Sequence, residues 1–552
     1  MFHKKVVHAP VRPFSSIREM LSLAVTEDGN KIAYKFKQKD GSIAEVSYRR
    51  FYNTVEALGA ALAEMGYGKS HIACISENRY DWICAYLTVL QSAGVYVPVD
   101  KELPADNKVF LVNNSESEVV FISGRQAQWV RENHEKMPGV KCYICFDAEE
   151  DDELILSYQK LLQKGEVLDK TAYDALLHSD PQELKMLVYT SGTTGIAKGV
   201  MLSEHNLCSS VYYGLQVSQI YDTGLSILPY NHTYESVCDI LVNIHFHATI
   251  CINAVMKDLF KDMQLYHPTN IYMVPAVAEF IYSNIMRNLK KQDKLKTFEK
   301  GVKLSRAALK LGIDLRPKLF RELHVLFGGR LRKIVCGGAP IRPEIGEFFG
   351  DIGIALIGGY GITECSPLVS VNDENCNDYH TVGHRLPCLE WSIDEPNEEG
   401  IGEILVKGDV VMLGYYKMPE QTAEAMRGGW FHTGDYGYIT PDDQLVITGR
   451  KKNLIVLDNG KNVYPEEIEN LIMRVDCVQE VVVFGVKNEK GDEHSLGAEV
   501  YLNTPTPEKE VKDLIAKELK DQPTYKKISK VIVRDEPFEK TSSNKIIRPK
   551  RD

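Results

Sequence analysis

The stretch Leu187-Val188-Tyr189-Thr190-Ser191-Gly192-Thr193-Thr194-Gly195-Ile196-Ala197-Lys198-Gly199-Val200-Met201 decides how the rest of the chain is read. An apolar run enters a tract of hydroxyl residues and glycines, and a lysine follows. The run predicts a buried strand ending near Thr190. Beyond it, Gly192 and Gly195 free the backbone to curl so that amide N–H groups can converge on an anion. Thr190, Ser191, Thr193 and Thr194 add hydroxyl donors, and Lys198 adds a positive charge. That is the chemistry of a phosphate cradle. It is not the G-x-x-x-x-G-K-[ST] loop. Aligned on Gly192, the chain has Ala197-Lys198-Gly199 where Gly-Lys-Ser/Thr is required, so two positions fail.

Outward from this loop the chain alternates helical and strand-like patterns. Residues 48–65 carry apolar side chains at helical spacing, and 71–75 read as a short strand. A helix over 79–92, a strand over 94–98 and a strand over 119–122 follow. The rhythm recurs from 184 to 365, with strands expected near 186–190, 225–228, 271–274, 333–336 and 354–357. It predicts an α/β domain with a largely parallel sheet. After about residue 380 turn signals crowd together, among them Gly383, Pro387, Gly400, Gly402, Gly408 and Gly414. Short β-runs at 404–406 and 445–447 between them predict a small β-rich subdomain over about 380–449. Past 450 a β/α pattern resumes, with helices at 465–473 and 511–519 and strands at 478–486 and 531–533. The expected organisation is a large N-terminal domain, 1–449, a junction at 450–452 and a small α+β C-terminal domain, 453–552.

At 552 residues, the chain has room for about three to five domains or fewer large ones. Hydrophobic residues make up 44% and charged residues 26%, which excludes a disordered chain or a fibre. The net charge of −11 argues against a nucleic-acid partner. The 12 cysteines lie mostly singly in apolar runs, as reduced thiols of a cytoplasmic protein do. Cys142 and Cys145 form a CxxC without a second pair or nearby histidines, and read as part of a strand. The first residues lack the apolar core of a signal peptide. The uncharged run 82–99 is broken by Gln91, Gly94 and Pro98 and reads as helix, turn and strand, not as a membrane span. One local anomaly remains. Residues 287–333 hold 15 Lys/Arg against 4 Asp/Glu, with apolar residues interleaved. A solvated amphipathic helix pair accounts for this, and so does a face for anionic lipid or another anionic partner.

Further motifs follow the loop in order: Gly337-Gly338-Ala339-Pro340, Tyr360-Gly361-Ile362-Thr363-Glu364, Thr433-Gly434-Asp435, Arg450-Lys451-Lys452, a glycine-led loop from Gly460 into Pro465-Glu466-Glu467-Ile468-Glu469, and Lys540-Thr541-Ser542-Ser543-Asn544-Lys545. Together with the 190–198 loop, these resemble the signature motifs of the adenylate-forming superfamily, most closely its AMP-forming long-chain fatty-acid–CoA ligases. The resemblance spans most of the chain and implies roles by position. Thr190, Ser191, Gly192, Thr193, Thr194, Gly195 and Lys198 would hold phosphates. Gly338, Ala339, Tyr360 and Gly361 would line the adenine and acyl pocket. Thr363 would meet the phosphate, and Glu364, with Thr193, would hold Mg²⁺. Asp435 and Arg450 would grip the ribose. Lys452 would be a hinge, the Gly460 loop would serve the thioester-forming state, and Lys545 would be the catalytic lysine. Many relatives carry Gly where Asn544 stands. His232, in Leu228-Pro229-Tyr230-Asn231-His232, matches a position near the acyl carboxylate; a core histidine is the plain alternative.

The resemblance implies ATP-dependent activation of a medium- or long-chain fatty acid to acyl-AMP with release of pyrophosphate, then thioester formation with coenzyme A. No protein nucleophile is needed, and none is evident in the sequence. Two alternatives stay open at this point. The acyl group could pass instead to the phosphopantetheine of an acyl carrier protein, or the chain could be a non-catalytic nucleotide-binding regulator. Peripheral membrane contact through 287–333 is the remaining expectation.

Overall fold

The structure, a computed structural model, describes residues 8–177, 180–190, 197–253, 255–374, 377–488, 491–540 and 546–549. It divides into two compact units, residues 1–390 with 407–429, and residues 391–406 with 430–552.

The first unit is built on two sheets. Among the described residues one has eight strands, in the order Gly414–Tyr415, Lys198–Ser203, Leu184–Thr190, Val95–Pro98, His71–Ile75, Val119–Ile122, Cys142–Cys145 and Ile155–Ser157. The run from Leu184–Thr190 to Ile155–Ser157 is parallel. Its inner strands are short, apolar and buried on both faces, as parallel strands between helices must be. Cys142 and Cys145 lie in one of them as buried thiols. The other edge is antiparallel. Leu184–Thr190 pairs with Lys198–Ser203, and Thr190 stands opposite Lys198. The two strands that flank the hydroxyl- and glycine-rich tract are therefore antiparallel neighbours.

The second sheet has nine described strands, of which Ala355–Gly361, Lys333–Cys336, Asn270–Met273, Thr223–Ser226, Thr249–Ile252 and Ile32–Lys37 run parallel in that order. The helix Tyr80–Leu90 lies between the sheets. Trp82 meets Tyr96 of the first sheet and Tyr230, just beyond Thr223–Ser226 of the second, both at 5.2 Å between ring centroids. The uncharged run 82–99 is thus a buried helix, a turn and a buried strand. Among the described residues no helix is long and apolar enough to cross a membrane. The basic segment forms the helices Pro275–Lys291, Leu295–Leu309, Arg316–Leu319 and Arg321–Leu326.

The second unit carries a four-stranded sheet in which Phe431–Ile439 pairs antiparallel with Gly402–Gly408 and Leu445–Arg450. Its C-terminal part is a three-stranded sheet, with Glu493–Leu502 between Val478–Lys487 and Ile528–Arg534. The helices Pro465–Ile472 and Glu508–Glu518 contribute Ile468, Ile472, Val511 and Ile515 to its core.

Candidate active site

In the first unit the site is assembled where strands of the second sheet end. The strand Lys333–Cys336 runs into Gly337 and Gly338, and Ala355–Gly361 delivers Tyr360. Gly338 has φ +89°, a conformation open to glycine without strain. A Cβ on Gly361 would stand 2.5 Å from the Pro367 carbonyl oxygen, so only glycine lets the two segments approach. Gly338, Tyr360 and Gly361 line a cavity that opens to solvent, with Tyr234, Gly214 and Val242 on other walls. The lining is mostly apolar, and glycines rather than side chains bound much of it. The Tyr234 hydroxyl donates to the Val335 carbonyl at 2.9 Å, which fixes the ring as one wall.

Two residues past Gly361 the chain turns through Thr363–Cys365. Here the structure gathers Glu364, Lys198 and a residue the sequence reading missed, Tyr415. The Tyr415 hydroxyl donates to Glu364 Oε1 at 2.9 Å. The Lys198 Nζ stands 4.7 Å from the centre of the Tyr415 ring. Tyr415 sits opposite Val200 in the antiparallel edge of the first sheet, which brings it beside the hairpin bearing Lys198. Burial, then the Glu364 charge, pushes the phenol well up, so it stays a hydrogen-bond donor. One carboxylate oxygen is thereby held and the group is aimed. A carboxylate fixed beside a lysine is the donor chemistry that Mg²⁺ and phosphate require. Ser191, Gly192, Thr193, Thr194 and Gly195 lie outside the described residues.

His232 is half-buried and opens the segment Thr233–Glu235, whose Tyr234 lines the cavity. The next turn, Ser236–Leu241, is a π-helix. Glu235 and Asp239 are fully buried there. Glu235 accepts from Ser226 Oγ at 2.6 Å, and Asp239 accepts from Asn243 Nδ2 at 2.5 Å. Glu235 Oε2 and Asp239 Oδ2 are buried with no hydrogen-bond partner among the described residues, and two neighbouring buried carboxylates do not both ionise. Burial, then the Asp239 charge, raises Glu235 well above the usual carboxyl range, and burial raises Asp239 to about 7. The folded state then binds more protons than the unfolded chain between about pH 4 and about pH 7, and stability falls as pH rises through that window. Thermal unfolding measured every half pH unit is expected to show this decline, and Glu235→Gln, which keeps a donor to Asp239, should flatten it. An equal slope in both proteins would remove the pair as its source.

In the second unit, Asp435 and Arg450 stand opposite each other on neighbouring antiparallel strands and form an ion pair at 2.9 Å. The Asp435 side chain is almost buried. The turn before it is fixed by Thr433 Oγ1, which donates to the Ile404 carbonyl at 2.8 Å and accepts from the Asp435 amide at 3.1 Å. Glu403 holds the same turn, accepting from the Gly434 amide at 3.1 Å and from Lys451 at 2.7 Å. Burial, then the Arg450 and Arg548 charges, lowers the Lys452 ammonium from its usual value, against Asp435 and Glu466. Gly460 closes a tight turn, its amide donating to the Leu457 carbonyl at 2.8 Å. Lys545 lies outside the described residues, but the chain on both sides of it is held. Lys540 pairs with Glu480 at 2.6 Å, and Arg548 with Glu469 at 2.7 Å.

Residues 21–416 match the family model of the AMP-binding enzymes, and 467–545 match that of the AMP-binding enzyme C-terminal domain. The chain belongs to the AMP-binding enzymes. Among curated members of that family, a fatty acyl-CoA synthetase of Dictyostelium discoideum is 28% identical over 83% of this chain and 73% of its own. A long-chain-fatty-acid–CoA ligase of Mycobacterium bovis is 29% identical over 81% of this chain and 76% of its own. The adenylation and peptidyl-carrier didomain of a carboxylic acid reductase from Segniliparus rugosus, solved with AMP, superposes with a TM-score of 0.79 at 19% identity, covering 99% of this chain and 82% of that one. An anthranilate CoA ligase solved with anthranoyl-AMP gives 0.78 at 16% identity, over 98% and 96%. The last two establish the fold. The resemblance read from the motifs therefore stands at the level of the family.

Proposed function

We infer that this AMP-binding enzyme is an AMP-forming ligase that joins a long-chain fatty acid to coenzyme A. The observation that carries the reading is the apolar cavity bounded by Gly338, Tyr360 and Gly361, with the Lys198–Tyr415–Glu364 cluster on the segment that leaves it. An alkyl chain suits the first, and a nucleotide phosphate with its metal suits the second. In the first half-reaction a carboxylate oxygen of the fatty acid attacks the α-phosphorus of ATP, and the bond from that phosphorus to pyrophosphate breaks. Glu364 with Thr193 would hold Mg²⁺, which would supply charge neutralisation at the phosphate oxygens. Lys198, Thr190 and Thr363 orient the phosphates, Asp435 and Arg450 take the ribose, and Lys545 meets the charge that develops on the transferring group. In the second half-reaction the coenzyme A sulfur attacks the acyl carbon, and the carbon–oxygen bond to AMP breaks. We place the hinge between these states at 450–452, with Lys452 as pivot and the Gly460 loop serving the second. His232 is assigned to the acyl carboxylate. The protein is taken to be cytoplasmic, with peripheral membrane contact.

The test is pyrophosphate release with ATP, Mg²⁺ and acids from acetate to oleate, with and without coenzyme A. Turnover with a long-chain acid and acyl-CoA as product is the expected result. A single burst of acyl-adenylate that coenzyme A cannot discharge would move the acceptor to a carrier protein. Binding of ATP with no acid-dependent release would leave only a nucleotide-binding role.

Cavity depth should set chain length. Gly214 lies on one wall, and a Cβ there would approach Leu368 Cδ2 to 3.2 Å. Gly214→Phe is expected to lower kcat/KM for palmitate more than tenfold and that for hexanoate far less. Each methylene kept out of an apolar site forfeits about 0.8 kcal/mol, or roughly fourfold. Equal losses for both acids would place the alkyl chain elsewhere.

A further inference from the structure

The helix Leu295–Leu309 has two unlike sides. Inward, Phe298 packs on Phe320 with ring centroids 5.3 Å apart, Ser305 is buried, and Arg306 pairs with Asp351 at 2.6 Å. At about 3.6 residues per turn, Lys300 and Leu304 fall on the opposite side, with Lys296 and Lys303 along one flank and Lys310 and Leu311 continuing the stripe past the helix end. Leu304 is 55% exposed and Leu311 79% exposed. The four lysines are exposed too, and among the described residues none has an acidic partner within ion-pair distance. The segment 287–333 holds 15 Lys/Arg and 4 Asp/Glu, in a chain whose net charge is −11. The positive charge is thus local, against an otherwise acidic protein.

We propose that this stripe is a docking face for the surface of an anionic lipid bilayer. The stripe combines the two features such a surface selects. Large exposed aliphatic side chains share the stripe with the lysines, so the leucines can enter the acyl boundary while the ammonium groups, on long alkyl stems, stay among the phosphates. An acidic protein would pair the lysines but give exposed leucines no apolar medium. The fatty-acid reading gives the face its purpose, because a long-chain acid is held mostly in membranes. The geometry of the stripe does not depend on that reading.

The experiment uses the full chain in sedimentation with sucrose-loaded vesicles, either phosphatidylcholine alone or phosphatidylcholine with about a third phosphatidylglycerol. Expected is binding at least tenfold tighter to the anionic vesicles, weakened by salt. Lys296→Ser, Lys300→Ser, Lys303→Ser and Lys310→Ser combined should abolish it, and Leu304→Ser with Leu311→Ser should weaken it several-fold at constant salt. Both variants should keep the circular dichroism spectrum and ATP affinity of the parent. No preference for anionic vesicles, or preference unchanged in both variants, overturns the proposal. Binding that depends on the lysines but is indifferent to the leucines also overturns it, and points to an acidic protein. No acid or coenzyme A is present, so a failed ligase reading and a failed docking face give different results. If both stand, oleate presented in anionic vesicles should be consumed more slowly by the lysine variant, and albumin-bound oleate at the parental rate.

Discussion

Lys545→Ala is expected to lower acid-dependent pyrophosphate release by roughly two to three orders of magnitude, the scale on which one preorganised charge acts at a developing anion. Thioester formation from supplied acyl-adenylate should change by less than about threefold, because that step moves no phosphoryl group. The chain on both sides of Lys545 is fixed. Before it, Glu480 accepts from the Phe538 amide at 2.8 Å and pairs with Lys540. After it, the Ile547 amide donates to the Glu539 carbonyl at 2.8 Å, and Arg548 reaches Glu466 at 3.3 Å as well as Glu469. Lys540 and Ile546 form an antiparallel bridge, which ties together the chain on the two sides of 541–545. The two half-reactions are measured separately, pyrophosphate by a coupled assay and acyl-CoA by chromatography. An equal loss in both would show that Lys545 does not act in the phosphoryl step.

What could be read from the sequence follows from which forces write local patterns. Residues 119–122 and 142–145 are apolar at every position because helices cover both faces of a parallel sheet, and such runs stand out. The strand Glu493–Leu502 escaped notice. It carries the polar residues Glu493, His494, Ser495 and Glu499, none of them buried, so its strand character comes from pairing on both sides. The hairpin Ile32–Lys37 and Ile43–Ser47 escaped for a similar reason, as an edge with Lys35 facing Glu45. At the site, Gly338, Tyr360 and Gly361 were named through the resemblance of their motifs, and all three line the cavity. Tyr234, Gly214 and Tyr415 were not named. Each becomes a site residue only through the approach of elements distant in sequence, and Tyr415 depends on a two-residue strand, Gly414–Tyr415.

Tyr415 also sharpens the second large prediction. Glu364→Ala should reduce adenylation by about a hundredfold at ordinary Mg²⁺ and shift the Mg²⁺ needed for half-maximal rate upward, since an oxygen ligand to a hard cation is lost beside phosphate. Tyr415→Phe isolates the aim of that carboxylate from its charge. The ring that Lys198 faces is kept, and only the 2.9 Å hydrogen bond to Glu364 Oε1 is removed. A neutral donor to a charged acceptor contributes about 1.5–3 kcal/mol, and the freed carboxylate recovers part of that by turning to solvent. A rise in the Mg²⁺ requirement of about three- to tenfold is therefore expected, with most of the rate restored at saturating Mg²⁺. The measurement is initial pyrophosphate release across a Mg²⁺ series at fixed ATP and acid. If Glu364→Ala lowers the rate without moving the Mg²⁺ midpoint, the carboxylate acts on the protein and not on the metal. If Tyr415→Phe moves the midpoint and Glu364→Ala moves it further in the same direction, the tyrosine works through the carboxylate that it holds.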